Sequence, residues 1–257
     1  VTKILNKEED VQVFKPIESF SQNAHIKSLN EYLDIYEKSK KNPVEFWEKQ
    51  AKENIVWFEL FKEFLKWDLP VANWFAGGKL NVCYNCIDKH LGTPIENKTA
   101  IIWEGEPYED GKPVEKRYIS YKELHSEVSI FANVLKNLGI TKGDRVIIYL
   151  PMIPEAIYAM LACARIGAIH SVVFAGFSAQ AITERADDCQ ARLIITADES
   201  FRRGKLIKLK ENVDKALELK IDGVTKTSIK KVLVIKRTGS EIHINPGKDF
   251  LYSLEKE

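Results

Sequence analysis

Apolar and polar positions along the chain keep two rhythms. From Arg145 onward, short β-branched runs (RVIIYL, AIHSVVF, ARLIITA, KKVLVIK) alternate with stretches of helical spacing. The runs lack polar alternation, as expected of strands covered on both faces. The intervening segments, Pro154 to Ile166, Ser178 to Asp188 and NVDKALEL, predict helices. Strand–helix–strand succession at this rhythm predicts an α/β fold with a mostly parallel, doubly wound sheet flanked by helices. Just upstream, TAIIWEG and KRYIS read as two strands joined by a charged turn containing Gly and Pro. Ser120, with Glu123 three residues on, predicts a capping box for the helix YKELHSEVSIFANVLKNLG, which stops at Gly139.

Residues 1–98 read as a helical N-terminal extension packed on the main domain, and 99–257 as an α/β unit. HIKSLNEYLDIYEKSK is amphipathic, and Pro43 fits the first turn of a helix through PVEFWEKQAKEN. IVWFELFKEFLKWD sets Trp57, Phe58, Phe61, Phe64 and Trp67 at steps of three and four, which predicts a helix with an aromatic core seam. LNVCYNCIDKHL repeats helical spacing through Leu80, Cys83, Tyr84, Ile87 and Leu91. Residues 222–231 and 240–249 read as exposed loops.

Composition narrows the function classes. The chain has 257 residues, 45% hydrophobic and 29% charged, which is ordinary for a globular protein. Lys+Arg (38) nearly balances Asp+Glu (37), so charge argues against nucleic-acid and membrane partners. No apolar run approaches the roughly 18–20 residues that span a bilayer. The opening VTKILNKEEDVQVF is charged and lacks an apolar signal core. The expectation is a soluble, cytoplasmic protein.

Several motifs offer chemistry and are weighed down by their surroundings. Cys83 and Cys86 form a C-x-x-C, yet no second close pair of ligands accompanies it, so the thiols read as structural and no metal site is expected. Gly77-Gly78-Lys79 lacks the G-x-x-x-x-G-K-[ST] spacing of a phosphate loop and reads as a tight turn. The five histidines show no ligand spacing, and no serine sits in G-x-S-x-G, so no catalytic residue is assigned.

In open α/β sheets, ligands collect beyond the carboxyl ends of strands. Two segments occupy such places. Phe174-Ala175-Gly176-Phe177-Ser178 follows SVVF; its small residues would admit a ligand to the backbone, and Ser178 would cap the next helix. An ordinary strand-to-helix turn explains it equally well. Asp198-Glu199-Ser200-Phe201-Arg202-Arg203-Gly204-Lys205 follows ARLIITA, and Arg202, Arg203 and Lys205 put three cations around Gly204. By residue type this is either a compact, flexible phosphate clamp or a solvated charged loop.

The wording of the chain resembles one family, the AMP-forming acetyl-CoA synthetases, or acetate–CoA ligases, of the adenylate-forming (ANL) superfamily. The likeness starts at FKPIESFSQNAHIKSLNEYLDIYEKSKKNPVEFW and continues in WFAGGKLNVCYNCIDKHL and AIIWEGE. It is strongest in PMIPEAIYAMLACARIGAIHSVVFAGFSAQAITERADD and ITADESFRRGKLIKLKENVDKAL. The amino-terminal blocks separate it from shorter adenylate-forming relatives such as luciferases. The resemblance implies an enzyme that joins acetate to ATP as acetyl-adenylate and then transfers the acetyl group to CoA. CoA, ATP with Mg, and acetate would be its small-molecule partners. It implies CoA contacts at Phe174, Ala175 and Gly176, and a phosphate-contacting loop at Arg202, Arg203, Gly204 and Lys205. The family often has a small residue at the position of Arg203, and Arg or Lys at that of Lys205.

Family members are more than twice as long as this chain. Their T-S-G-[ST]-T-G-x-P-K-G loop, acetate pocket and catalytic lysine fall beyond Glu257, so the expectation is an N-terminal part of the large N-terminal domain, inactive alone. Propionyl-CoA synthetase and a non-catalytic CoA- or nucleotide-binding module are the competing readings.

Overall fold

The computed structural model describes residues 14–106, 108–221, 224–225 and 227–256. The charged amino-terminal run through residue 13, and Asp222, Gly223 and Lys226 of the expected 222–231 loop, lie outside them. The chain divides into two compact units, Val1–Ile55 with Leu60–Gly78, and Val56–Glu59 with Lys79–Glu257.

The first unit holds α1 (Glu18–Asn23), α2 (Leu29–Lys41), α3 (Pro43–Asn54), β1 (Glu63–Asp68) and β2 (Val71–Ala76). Ser28 caps α2 by accepting the Glu31 amide at 3.2 Å, while the Glu31 carboxylate accepts the Lys27 amide at 2.8 Å. Pro43 occupies the first turn of α3, as its fixed φ favours. The helix expected over 55–68 is not formed. β1 pairs antiparallel with β2, with Leu65 opposite Trp74 and Trp67 opposite Ala72. Aromatic residues favour strands, and a second aromatic run, VANWFA, follows Pro70 closely enough to pair. The Phe64 ring lies 5.5 Å from Trp74 and 5.2 Å from Phe75, and Phe61 lies 5.2 Å from Phe75. Phe61 and Phe64 are buried, whereas Trp67 is exposed, so the five aromatics do not share one face.

In the second unit, α4 (Val82–Cys86) and one 3₁₀ turn (Asp88–His90) precede β3 (Thr99–Glu104), β4 (Tyr108–Glu109), β5 (Lys112–Pro113) and β6 (Lys116–Ser120). Then come α5 (Tyr121–Asn137), β7 (Arg145–Tyr149), α6 (Pro154–Ile166), β8 (Ile169–Val172), α7 (Ala179–Cys189) and β9 (Leu193–Ala197). The order continues with β10 (Ser200–Arg202), β11 (Lys205–Ile207), α8 (Leu209–Glu218), β12 (Lys220–Ile221), β13 (Val224–Thr225), β14 (Lys231–Ile235), β15 (Asp249–Leu251) and α9 (Tyr252–Glu255). β3 pairs antiparallel with β6, and the capping box of α5 forms as expected: the Ser120 hydroxyl accepts the Glu123 amide (3.2 Å), and Glu123 accepts the Ser120 amide (2.7 Å). Leu124, Val128, Phe131, Val134 and Leu135 are the buried face of α5, which packs on α6.

The core is a five-stranded, all-parallel sheet in the order β15-β14-β9-β7-β8. Every residue of β9 is buried, and so are Val146–Tyr149 and Val232–Ile235, which accounts for the unbroken apolar runs. β8 and β15 are the two outermost strands, and on β8 Ile169 and Val172 are more than half exposed. The chain leaves β7 for β8 on one side and returns to β9 on the other. That reversal puts a topological switch point between the carboxyl ends of β7 and β9, where such sheets bind ligands.

Two expected loops carry more structure than their sequence suggests. Ile229 is buried, and Val224–Thr225 pairs with Lys220–Ile221. Residues 240–249 end in buried Asp249, whose carboxylate meets the buried Lys210 ammonium at 2.8 Å; Lys210 also meets Asp214 at 2.6 Å. This ion pair ties the first turn of α8 to the start of β15, a strand of three residues and too short to show a period. Cys83 and Cys163 are buried as expected, but Cys86 faces out. Among the described residues, no helix is long and apolar enough to cross a membrane.

Candidate functional site

Four strand ends converge on one cleft of about 330 Å³. β7 delivers Leu150 to Ile153, β8 delivers Val173 to Ala175, the chain after β9 delivers Ser200 to Arg202, and β14 leads to Arg237. Trp103 and Glu106 close a side from the end of β3.

Tyr149, the last residue of β7, fixes the turn that follows β8. Its buried hydroxyl donates to the Phe177 carbonyl (3.1 Å) and accepts the Gly176 amide (3.3 Å) and the Asn212 side-chain amide (3.4 Å). Gly176 has φ +117°, a conformation other residues rarely adopt. Ser178 caps α7 by accepting the Ala181 amide at 3.3 Å, as its type and place suggest.

The cationic segment is not the loop expected from its sequence. Arg202 pairs with Lys205 across a two-residue hairpin between β10 and β11, with Arg203 and Gly204 both at positive φ (51° and 72°). Two left-handed central residues match the right-handed twist of paired strands, which explains the hairpin. The Arg202 guanidinium lies 4.8 Å over the Phe174 ring and donates to the Ala175 carbonyl at 3.4 Å. A Cβ on Gly176 would stand 2.8 Å from Arg202 Nη1. The structure therefore joins Phe174, Ala175, Gly176 and Arg202 in one place. Arg203, Gly204 and Lys205 form the exposed hairpin tip beyond them.

Sequence reasoning placed Asp198 in the cationic segment without a role and missed Arg237, Glu115 and Trp103, which frame this arrangement with it. Buried Asp198 accepts the amides of Glu199 (2.8 Å), Arg237 (2.7 Å) and Gly239 (2.9 Å), which shapes the loop after β14. Arg237 pairs with Glu115 at 2.8 Å and lies 5.2 Å over Trp103 and 5.7 Å over Phe201. Trp103 Nε1 donates to the Met152 carbonyl at 2.7 Å. One signal was available: Arg237 follows KVLVI as closely as Phe174 follows IHSV, so it also sits at a strand's carboxyl end.

Neither His125 nor His170 lines the cleft. His125 lies 3.4 Å from Asp88, whose carboxylate is already held by both terminal nitrogens of Arg165 (3.0 and 2.8 Å). Burial lowers the pKa of His170. Among the described residues, no group of three or more His, Cys, Asp or Glu side chains is placed to hold a metal ion.

The model of the AMP-binding enzyme family matches residues 91–249, and that of the acetyl-coenzyme A synthetase N-terminus matches residues 32–86. An acetyl-coenzyme A synthetase of Leptospira biflexa serovar Patoc is 47% identical over 245 residues, covering 94% of this chain and 36% of that protein. The Wolinella succinogenes acetyl-coenzyme A synthetase is 48% identical over 251 residues, covering 97% of this chain and 37% of its own length. That of Rhodopirellula baltica is 47% identical over 238 residues, with 93% and 35% covered. The chain thus spans little more than a third of the length of these curated relatives. With the cleft at its switch point and both family models in sequence order, the chain belongs to the AMP-binding enzymes and carries the N-terminal region of the acetyl-coenzyme A synthetases.

Proposed function

We propose that this chain is part of an AMP-forming acetate–CoA ligase and supplies the surface that holds the nucleotide end of CoA. In that reaction the acetate carboxylate attacks the α-phosphorus of ATP and pyrophosphate leaves. The CoA thiolate then attacks the acyl carbon of acetyl-adenylate, and AMP departs with the bonding electrons. The N-terminal region match and the names of the relatives support acetate over propionate as the acid. Residues 99–257 are then the first α/β subdomain of the enzyme's large N-terminal domain, and 1–98 its extension.

The observation that carries this reading is the seating of Arg202 on Phe174 and the Ala175 carbonyl, beside a residue with no side chain. A 3′-phosphate offers oxygens to the planar fork of Arg202 and to the charges of Arg203 and Lys205. Phe174, just over half exposed, gives a flat apolar face of the kind on which a base stacks for roughly 1–3 kcal/mol. Gly176 lets the ligand approach the backbone, and Gly204 lets the cationic strands turn back on themselves.

ATP, magnesium and acetate are given no residues here, because the chain contains no T-S-G-[ST]-T-G-x-P-K-G sequence. The 257 residues alone are therefore expected to release no pyrophosphate with acetate. Four free cysteines suit the reducing cytoplasm, where we place the enzyme. Calorimetric titration with CoA and dephospho-CoA tests the reading. Tighter binding of CoA supports a 3′-phosphate clamp at Arg202–Lys205. Equal affinities, or no binding, overturn it.

A further inference from the structure

The tip of the cationic hairpin is gripped by a carboxylate. Glu106 Oε1 accepts the Gly204 amide at 2.8 Å. Its negative charge sits at a turn flanked by Arg202, Arg203 and Lys205, where it would repel the anion those cations attract. A role other than ligand attraction must offset that repulsion.

The hairpin supplies one. Among the described residues β10 and β11 pair with each other alone, over three residues each, and a hairpin of that size is marginal unaided. Arg202 fastens its base through Phe174 and Ala175; Gly204 fastens its tip through Glu106. Glu106 is itself secured. Its carbonyl accepts Arg237 Nη2 at 3.4 Å, the neighbouring Gly105 amide donates to the Glu115 carbonyl at 2.8 Å, and Arg237 pairs with Glu115. The tip is thus referred, through one charge-assisted hydrogen bond, to the end of β14.

We propose that Glu106 is a positioning residue for the phosphate clamp: it fixes the Arg203–Gly204 turn and so sets the spacing of the three cations before a ligand arrives. This rests on the reading of the hairpin as the CoA 3′-phosphate site. Preorganisation of this kind raises affinity by removing the cost of ordering the loop on binding.

The test uses Glu106→Ala and Glu106→Gln in the 257-residue chain, with two readouts. Amide hydrogen exchange across Ser200–Ile207 reports the grip without any ligand. Titrations with CoA and dephospho-CoA report the clamp. Glu106→Ala is expected to speed exchange in the hairpin and weaken CoA on the order of tenfold, about 1.4 kcal/mol, leaving dephospho-CoA unchanged. Glu106→Gln keeps an oxygen acceptor without the charge and is expected to restore both slow exchange and CoA affinity. Unchanged exchange in Glu106→Ala, or CoA bound equally or more tightly by both variants, overturns the positioning role while the clamp reading stands. If the unsubstituted chain fails to distinguish CoA from dephospho-CoA, the clamp reading fails and takes the proposal with it.

Discussion

Arg202 rests on Phe174, its guanidinium 4.8 Å above the ring, and Gly176 leaves the space that lets it stay there. Gly176→Ala would bring a Cβ within 2.8 Å of Arg202 Nη1, on a backbone at φ +117°. The guanidinium can move away; the backbone cannot. We expect a stability loss of about 1–3 kcal/mol from the strained residue and a CoA affinity lower by on the order of tenfold. Chemical denaturation and calorimetry measure the two separately. An unchanged affinity would detach Arg202, as seated here, from ligand binding.

Tyr149→Phe keeps the ring and removes only the hydroxyl. The Gly176 amide and Phe177 carbonyl then lose their shared partner. Leaving such groups unsatisfied costs about 1–3 kcal/mol, which urea unfolding would register. Faster amide exchange in the 174–177 turn should accompany it, while the strands of the sheet keep their protection.

Asp144 gives the fold a defined acid sensitivity. The Thr141 amide (2.9 Å) and the Arg192 guanidinium (3.0 Å) hold its carboxyl below the ordinary 3.8, against the opposing effect of burial. The unfolded chain therefore binds this proton more readily than the folded one, and stability rises with pH across that interval. The contribution is complete above 3.8 and is lost as pH falls through the lower folded value. Unfolding free energies of the unsubstituted chain and Asp144→Asn should differ at neutral pH and converge in acid. A gap that persists in acid would assign the effect to packing.

The cysteines should separate by reactivity. Burial pushes the Cys83 thiol up to about 11 and the Cys163 thiol up to about 12, and raises Cys189 as well. Only the thiolate attacks an alkylating reagent. Treatment with iodoacetamide at pH 8 should label exposed Cys86 first and spare Cys83 and Cys163 until the protein unfolds, as followed by peptide mass analysis. Early labelling of Cys83 would mean that α4 opens locally.

What was legible in the sequence was local. RVIIY, LIITA and KVLVI declare buried strands because, past the opening Arg145 and Lys231, their residues are apolar or small enough to be covered on both faces. Ser120 and Glu123 declare a helix start because both partners lie in one turn. The 63–76 hairpin was misread because aromatics at steps of three and four satisfy a helix, and only pairing with VANWFA decides otherwise. The carboxyl-end position of Phe174–Gly176 could be read, but the framework around it could not. Glu106 and Gly204 are 98 positions apart, Arg237 and Glu115 are 122 apart, and no spacing rule links them.

The β8 edge of the sheet has a consequence for handling the protein. Among the described residues β8 pairs with β7 alone, and Ile169 and Val172 are more than half exposed. A strand edge with apolar side chains, where nothing covers it, is a template for another chain's strand. Refolding yield should therefore depend on concentration, falling as collisions between half-formed sheets outpace closure of each one. Light scattering during refolding should originate at β8, next to the turn that carries Phe174, so that self-association and ligand access would compete for neighbouring stretches of backbone.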